Sequence, residues 1–204
     1  MDTIFNAPAF IIANAIMRAY FSEVESTSKT PIITDELNAR FIKISRWTTK
    51  DHPGCAGLVL YSRDPQTGKT TMLRALYLTC VDLQFRKYKP GFITAIELSL
   101  TAQHKGRESI MEGESSPAKI PLLFLDGLGY ETPRVRYHGT NADGEHITES
   151  IEPVAEVLRY RFEHGLPVII TTDLSGHRIR HIYGAKVIEC IKACKRTAYW
   201  NKPF

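Results

Sequence analysis

The chain has 204 residues, of which 43% are hydrophobic and 24% charged, with a formal charge of +4. That length supports one domain with a full core, in a composition ordinary for a globular protein, and no apolar run reaches membrane-spanning length. The mild positive charge permits an anionic partner such as nucleotide or nucleic acid without demanding one.

The first predicted element is an amphipathic helix over residues 8–25, where Phe10, Ile11, Ala13, Ile16, Met17, Tyr20 and Phe21 recur at helical spacing. Its core "APAFIIANAIM" follows Asp2 rather than a positive charge, so it reads as a helix and not as a leader peptide. A polar connector, "ESTSKTP", leads to a second helix, "DELNARFIKISRWTTK", with Thr34 as its N-cap and "DHPG" as the turn that ends it. Strand and helix then alternate. "GLVLY" (57–61) is a buried strand, and "KTTMLRALYLTCVDLQF" is a helix. "GFITA" (91–95) is a second strand, followed by a short helix over 96–102 and a polar, irregular segment over 104–119.

"PLLFLD" (121–126) is the third strand, apolar up to its terminal acid. A Gly-rich charged loop over 130–145 precedes "ITESIEPVAEVLRYRFEHG", which carries helical periodicity interrupted by Pro153 and ends with Gly165 as C-cap. "LPVIITTD" (166–173) is the fourth strand, a continuous helix spans about 176–195, and "TAYW" (197–200) is a terminal edge strand. Near-continuous apolar strands separated by helices predict an α/β fold with a parallel sheet covered on both faces.

Between the first strand and its helix stands "RDPQTGKT". The phosphate-loop pattern is G-x-x-x-x-G-K-[ST]; Gly68, Lys69 and Thr70 satisfy its end, while Arg63 replaces its first glycine. Such a loop binds polyphosphate because backbone N–H groups in a tight turn, and the positive end of the following helix dipole, surround the anion. The nucleotide-binding residues expected are Arg63, Asp64, Pro65, Gln66, Thr67, Gly68, Lys69, Thr70 and Thr71. Lys69 supplies the point charge, and Thr70 with Asp126, at the carboxyl end of a buried strand, supplies oxygens for Mg²⁺. Arg63 and Gln66 put side chains where the turn usually has none; each costs about 1 kcal/mol if its φ is positive. Arg63 could instead add charge over the phosphates.

His177, His181, Cys190 and Cys194 mimic a zinc set, but one continuous helix spaces the two pairs too far apart to share an ion. Together with Cys55 and Cys80, the cysteines show no framework spacing, and reduced thiols in a cytoplasmic protein are the simplest reading.

The stretches "GLVLYSRDPQTGKTTMLRAL", "IPLLFLDGLGYE", "LRYRFEHGLPVIITTDLS" and "RHIYGAKVIECI", in that order over 57 to about 200, resemble the DnaC/IstB-like branch of the AAA+ ATPases, the helicase loaders and transposition helpers. The resemblance implies a three-layer P-loop core over 51–204, with a five-stranded parallel sheet in the order 5-1-4-3-2; residues 1–50, which carry no such resemblance, read as a short helical extension. It implies ATP or ADP and Mg²⁺ as cofactors. The partners it implies are a replicative helicase or a transposase, single-stranded DNA, and further copies of the chain in a homo-oligomer.

Departures from the family pattern bear on hydrolysis. The family's second acid, which activates water, is here Gly127; its polarising asparagine is Asp173; its arginine finger falls at Cys190, with Lys186 at a second basic position. Loss of a positioned base forfeits roughly 10²–10⁴ in rate, and loss of an arginine finger about 10³–10⁵. A carboxylate at Asp173 repels a γ-phosphate unless it is protonated or bound to a cation. Glu131 is the candidate substitute base. The expected protein binds nucleotide and hydrolyses it weakly or not at all. Three rivals stand beside it: an active ATPase using Glu131, an interaction module without nucleotide, and a DNA-binding accessory protein. For DNA, the basic residues Arg178, Arg180, His181, Lys186, Lys192, Lys195 and Arg196 lie near Tyr199 and Trp200.

Overall fold

The computed structural model describes residues 8–32, 34–48, 57–64, 67–82, 90–140, 144–193 and 196–199. Pro65, Gln66, Cys55, Cys194, Lys195, Trp200, the "DHPG" turn and the boundary drawn at residue 50 lie outside them.

In chain order the elements are α1 (Ala9–Ser26), α2 (Asp35–Thr48), β1 (Gly57–Tyr61), α3 (Lys69–Asp82), β2 (Pro90–Thr94), α4 (Ala95–Lys105) and α5 (Glu108–Met111). They continue with β3 (Leu122–Leu128), β4 (Val135–Thr140), β5 (His146–Ile151), α6 (Pro153–Glu163), β6 (Val168–Thr172), α7 (Gly176–Ala193) and β7 (Arg196–Tyr199). A sheet in the order β2-β3-β6-β1-β7 pairs its strands in parallel throughout.

The alternation of strand side chains divides the interior in two. Val59, Leu123, Leu125, Val168 and Ile170 face a core closed by Leu98 of α4, Val157 of α6 and Val187 of α7. Their neighbours Leu58, Leu60, Leu122, Phe124 and Ile169 face a second core with Met72 and Leu76 of α3. Ile12, Ile16 and Tyr20 of α1 and Leu37 and Phe41 of α2 complete that second core. α1 thus packs on α3 and α2 through Ile12, Ile16 and Tyr20, while Phe10 and Ile11 of the predicted face are exposed. Among the described residues, no helix is long and apolar enough to cross a membrane.

Local signals explain the element ends. The Thr34 hydroxyl accepts from the Leu37 amide at 3.1 Å, capping α2 as expected. Thr94 and Glu97 form a reciprocal capping box at α4, which runs past the predicted end at 102. Gly165, with φ +65°, terminates α6.

Two expectations are corrected. The stretch read as a charged loop and the start of a helix is an antiparallel hairpin, β4 paired with β5 from Val135↔Ile151 to Thr140↔His146. Pro153 opens α6 rather than interrupting it, because a proline at the first helical position has no amide to leave unpaired. The hairpin is fastened to the body by Arg107, whose guanidinium lies 2.6 Å from Glu149 and 2.9 Å from Glu156. The second correction concerns α7, which is not continuous: Gly184, at φ +87° and ψ 174°, breaks it into two helical pieces. Among the described residues no group of histidines, cysteines and acids is placed to hold a metal ion.

The polar segment over 112–121 is held by a buried cation. Arg161, fully buried on α6, donates to the carbonyls of Pro117, Ile120 and Pro167 at 3.0, 2.7 and 2.5 Å. Backbone oxygens thus solvate the guanidinium in place of water.

Candidate nucleotide site

The carboxyl ends of β1, β3 and β6 converge on the amino end of α3, the position where open α/β sheets take ligands. After β1, the Ser62 amide donates to the Thr172 carbonyl at 3.3 Å. The Asp64 amide donates to the Ser62 hydroxyl at 3.2 Å, and the Thr67 hydroxyl donates to the Asp64 carbonyl at 3.2 Å. Gly68 has φ +77°, a left-handed conformation that a side chain would strain, and its carbonyl accepts the first helical bond, from Met72, at 3.0 Å. The turn thus requires its glycine at 68. Ser28 is the one non-glycine residue with positive φ among those described, so Arg63 bears no such strain. Arg63 is exposed, and its Nε reaches the Tyr61 hydroxyl at 3.4 Å.

Lys69 is 5% exposed. Its ammonium donates to the carbonyls of Asp64 at 2.7 Å and Ser62 at 3.4 Å and to the Thr67 hydroxyl at 3.3 Å, and it lies 2.7 Å from Asp173 Oδ1. The cation whose absence would make Asp173 unfavourable is therefore Lys69 itself. The other oxygen of Asp173 accepts from the Tyr130 hydroxyl. That bond, together with burial and the nearby carboxylates of Asp173 and Asp126, pushes the Tyr130 pKa up to about 12.

Thr70 and Asp126, the expected metal pair, meet: the Thr70 hydroxyl donates to Asp126 Oδ1 at 3.0 Å. The Thr171 hydroxyl donates to the same oxygen at 2.5 Å and accepts from the Gly127 amide at 2.8 Å. Two hydroxyls on one carboxylate oxygen orient the acid. Glu131 is buried, not a solvated loop acid. One of its oxygens accepts from the Gly129 amide at 2.9 Å and the other from the Tyr183 hydroxyl. Burial first, and then that bond, raises the Tyr183 pKa.

A cavity of about 750 Å³ adjoins the loop. It is lined by the polar residues Ser62, Asp64 and Thr67 and by the apolar residues Val59, Leu174, Ile179, Ile188 and Ile191. The break at Gly184 lets both pieces of α7 line it, Ile179 from the first and Ile188 from the second. Cys190 is buried and Lys186 exposed. Arg178, Arg180, His181 and Lys192 are exposed on α7 as well.

Thr171, Tyr130 and Tyr183 were not anticipated. Paired threonines closing a buried strand ("TTD") are the one signal that marked Thr171. Nothing local marked the tyrosines, whose partners lie 43 and 52 residues away in the sequence.

No protein-family model and no curated protein matches the sequence. Solved structures do match the fold. A DnaI structure superposes with TM-score 0.58 at 20% identity, covering 97% of this chain and 93% of that one. A DnaC helicase loader gives TM-score 0.59 at 18% identity, covering 88% and 97% respectively. AMPPCP-bound DnaA from Aquifex aeolicus gives 0.52 at 13% identity over 83% of this chain and 47% of that one. The chain has the DnaC-like AAA+ fold that its motifs resemble.

Proposed function

We propose that this chain is an adenine-nucleotide-binding DnaC/IstB-like AAA+ protein of DNA replication, acting in helicase loading, or of mobile-element transactions, and that it hydrolyses ATP weakly or not at all. The observation that carries the reading is Lys69, buried at the amino end of α3 beneath a glycine-closed turn and beside a cavity of nucleotide size. The proposed three-layer core with sheet order 5-1-4-3-2 is supported by the order β2-β3-β6-β1-β7, counted among the parallel strands alone. In this reading the amides from 67 to 71 and Lys69 hold the phosphates, and the apolar residues lining the cavity take the base. Thr70 and Asp126 hold Mg²⁺, which when bound neutralises phosphate charge.

Weak hydrolysis follows from the residues present. Gly127 has no side chain to activate water, and both oxygens of Glu131 are engaged by Gly129 and Tyr183. A replicative helicase is the partner proposed, by analogy with the loader whose fold is shared; a transposase is the alternative. The exposed cations of α7 are the surface proposed for single-stranded DNA, in a homo-oligomer of the chain. The test is a thermal-shift titration with ADP and Mg-ATP. A ligand at about 100 times its Kd stabilises the native state by roughly 2.7 kcal/mol. Wild type is expected to shift upward and Lys69→Ala to shift less. A wild-type chain indifferent to both nucleotides refutes the reading.

A further inference from the structure

The loop lysine already has an anion. Of the groups around its ammonium, the carbonyls of Ser62 and Asp64 and the Thr67 hydroxyl are neutral, while Asp173 Oδ1, at 2.7 Å, carries the charge. Asp173 is also held in place. Tyr130 donates to its second oxygen. The chain on either side of it is fastened by the Thr172 hydroxyl, which donates to the Leu128 carbonyl at 2.8 Å and accepts from the Leu174 amide at 3.0 Å. An exposed ion pair of two mobile side chains is easily exchanged; here the lysine is 6% and the aspartate 18% exposed at the side chain, and both are anchored.

We propose that Asp173, clamped between Lys69 and Tyr130, makes this a site for a nucleoside diphosphate in preference to the triphosphate. The inference rests on the nucleotide reading above. The amides at the amino end of α3 can meet a diphosphate whether or not Lys69 is neutralised. A third phosphate adds negative charge to a site whose strand ends already carry the carboxylates of Asp173 and Asp126, and the one buried ammonium among the described residues there is already shared. To gain Lys69, the triphosphate must displace a fixed carboxylate and leave it facing the phosphate unpaired, which is disfavoured in a site of low dielectric. Asp173 thus selects between ligand charge states.

Calorimetric titration of the full chain with ADP and with ATP, each with Mg²⁺, tests this. Wild type is expected to bind ADP about 10-fold more tightly than ATP, a difference of about 1.4 kcal/mol. Asp173→Asn should raise ATP affinity about 10-fold and ADP affinity less than about 3-fold. Tyr130→Phe removes only a hydroxyl from a half-exposed ring and so keeps the fold; it should shift the ratio in the same direction by a smaller factor. If both variants bind both nucleotides with the wild-type ratio, the selectivity role is overturned while nucleotide binding stands. If no chain gives heat with either nucleotide, the nucleotide reading itself fails, and this inference with it.

Discussion

Thr171→Val tests whether the acid at the end of β3 is positioned or merely present. Valine keeps the shape of a side chain that is 2% exposed and deletes one hydroxyl with two tasks. It donates to Asp126 Oδ1 at 2.5 Å and accepts from the Gly127 amide at 2.8 Å. A hydrogen bond to a charged group contributes about 1.5–3 kcal/mol, and an amide left without an acceptor costs about 1–3 kcal/mol. Because one hydroxyl serves both, the terms overlap, and the expected loss is about 2–4 kcal/mol. In a protein of this size that lowers Tm by roughly 5–15 °C. Removing a group that orients a metal ligand weakens metal affinity by about 10–100-fold. The assay is a pair of measurements: a thermal melt without ligand, and nucleotide affinity as a function of Mg²⁺. Thr171→Ser, which keeps the hydroxyl, should recover most of both. A valine variant that melts within about 2 °C of wild type and binds Mg-nucleotide normally would refute the positioning role.

Two further predictions follow from the same strand ends. Tyr130 should ionise at about 12, and Asp173→Asn should bring it down toward the ordinary phenol value, because the bond to Asp173 is the largest cause of the shift. Since its folded pKa is raised, its contribution to stability is complete below about pH 10 and is lost as pH rises through about 12; NMR of ring-labelled tyrosines, assigned with Tyr130→Phe, reads it. Gly127→Glu, which restores the family's second acid in sequence, should not restore turnover in a phosphate-release assay. Gly127 has φ +75°, and an added Cβ would lie 3.3 Å from the Tyr130 ring, so the new side chain starts strained and crowded; turnover rising in this variant alone would contradict the prediction.

What was legible in the sequence was what local physics determines. Strands β1, β3 and β6 are continuous apolar runs, because both faces of a central parallel strand are buried. The loop between β1 and α3 was legible through Gly68 and Lys69, and the helix ends through Thr34 and Gly165. The hairpin escaped because glycines and charges suggest a loop, although Val135, Tyr137, Ile147 and Ile151 alternate at the strand period. The break in α7 turns on the backbone of one glycine, which periodicity does not sense. Neither could the apolar face of α1 name its partner: pattern says that a face must be covered, not by what. At the site, the residues that touch phosphate or metal in the family were found by motif. Thr171, Tyr130 and Tyr183, which hold Asp126, Asp173 and Glu131, come from distant segments and needed coordinates.

The departures from the family pattern are physically one arrangement rather than several accidents. The proposed phosphate binding draws on the amides at the start of α3 and on Lys69, which is buried behind the left-handed Gly68. Hydrolysis draws on side chains at the ends of β3 and β6, where this chain has Gly127 and Asp173. Those two positions are coupled through Tyr130. A Cβ at 127 would press on its ring, and its hydroxyl is bonded to the Asp173 carboxylate, which in turn is paired with Lys69. Glycine at 127 makes room for the tyrosine that fixes the aspartate that neutralises the lysine. Substituting Gly127, Tyr130 or Asp173 therefore disturbs the other two of these three, and the proposed weak hydrolysis rests on them together.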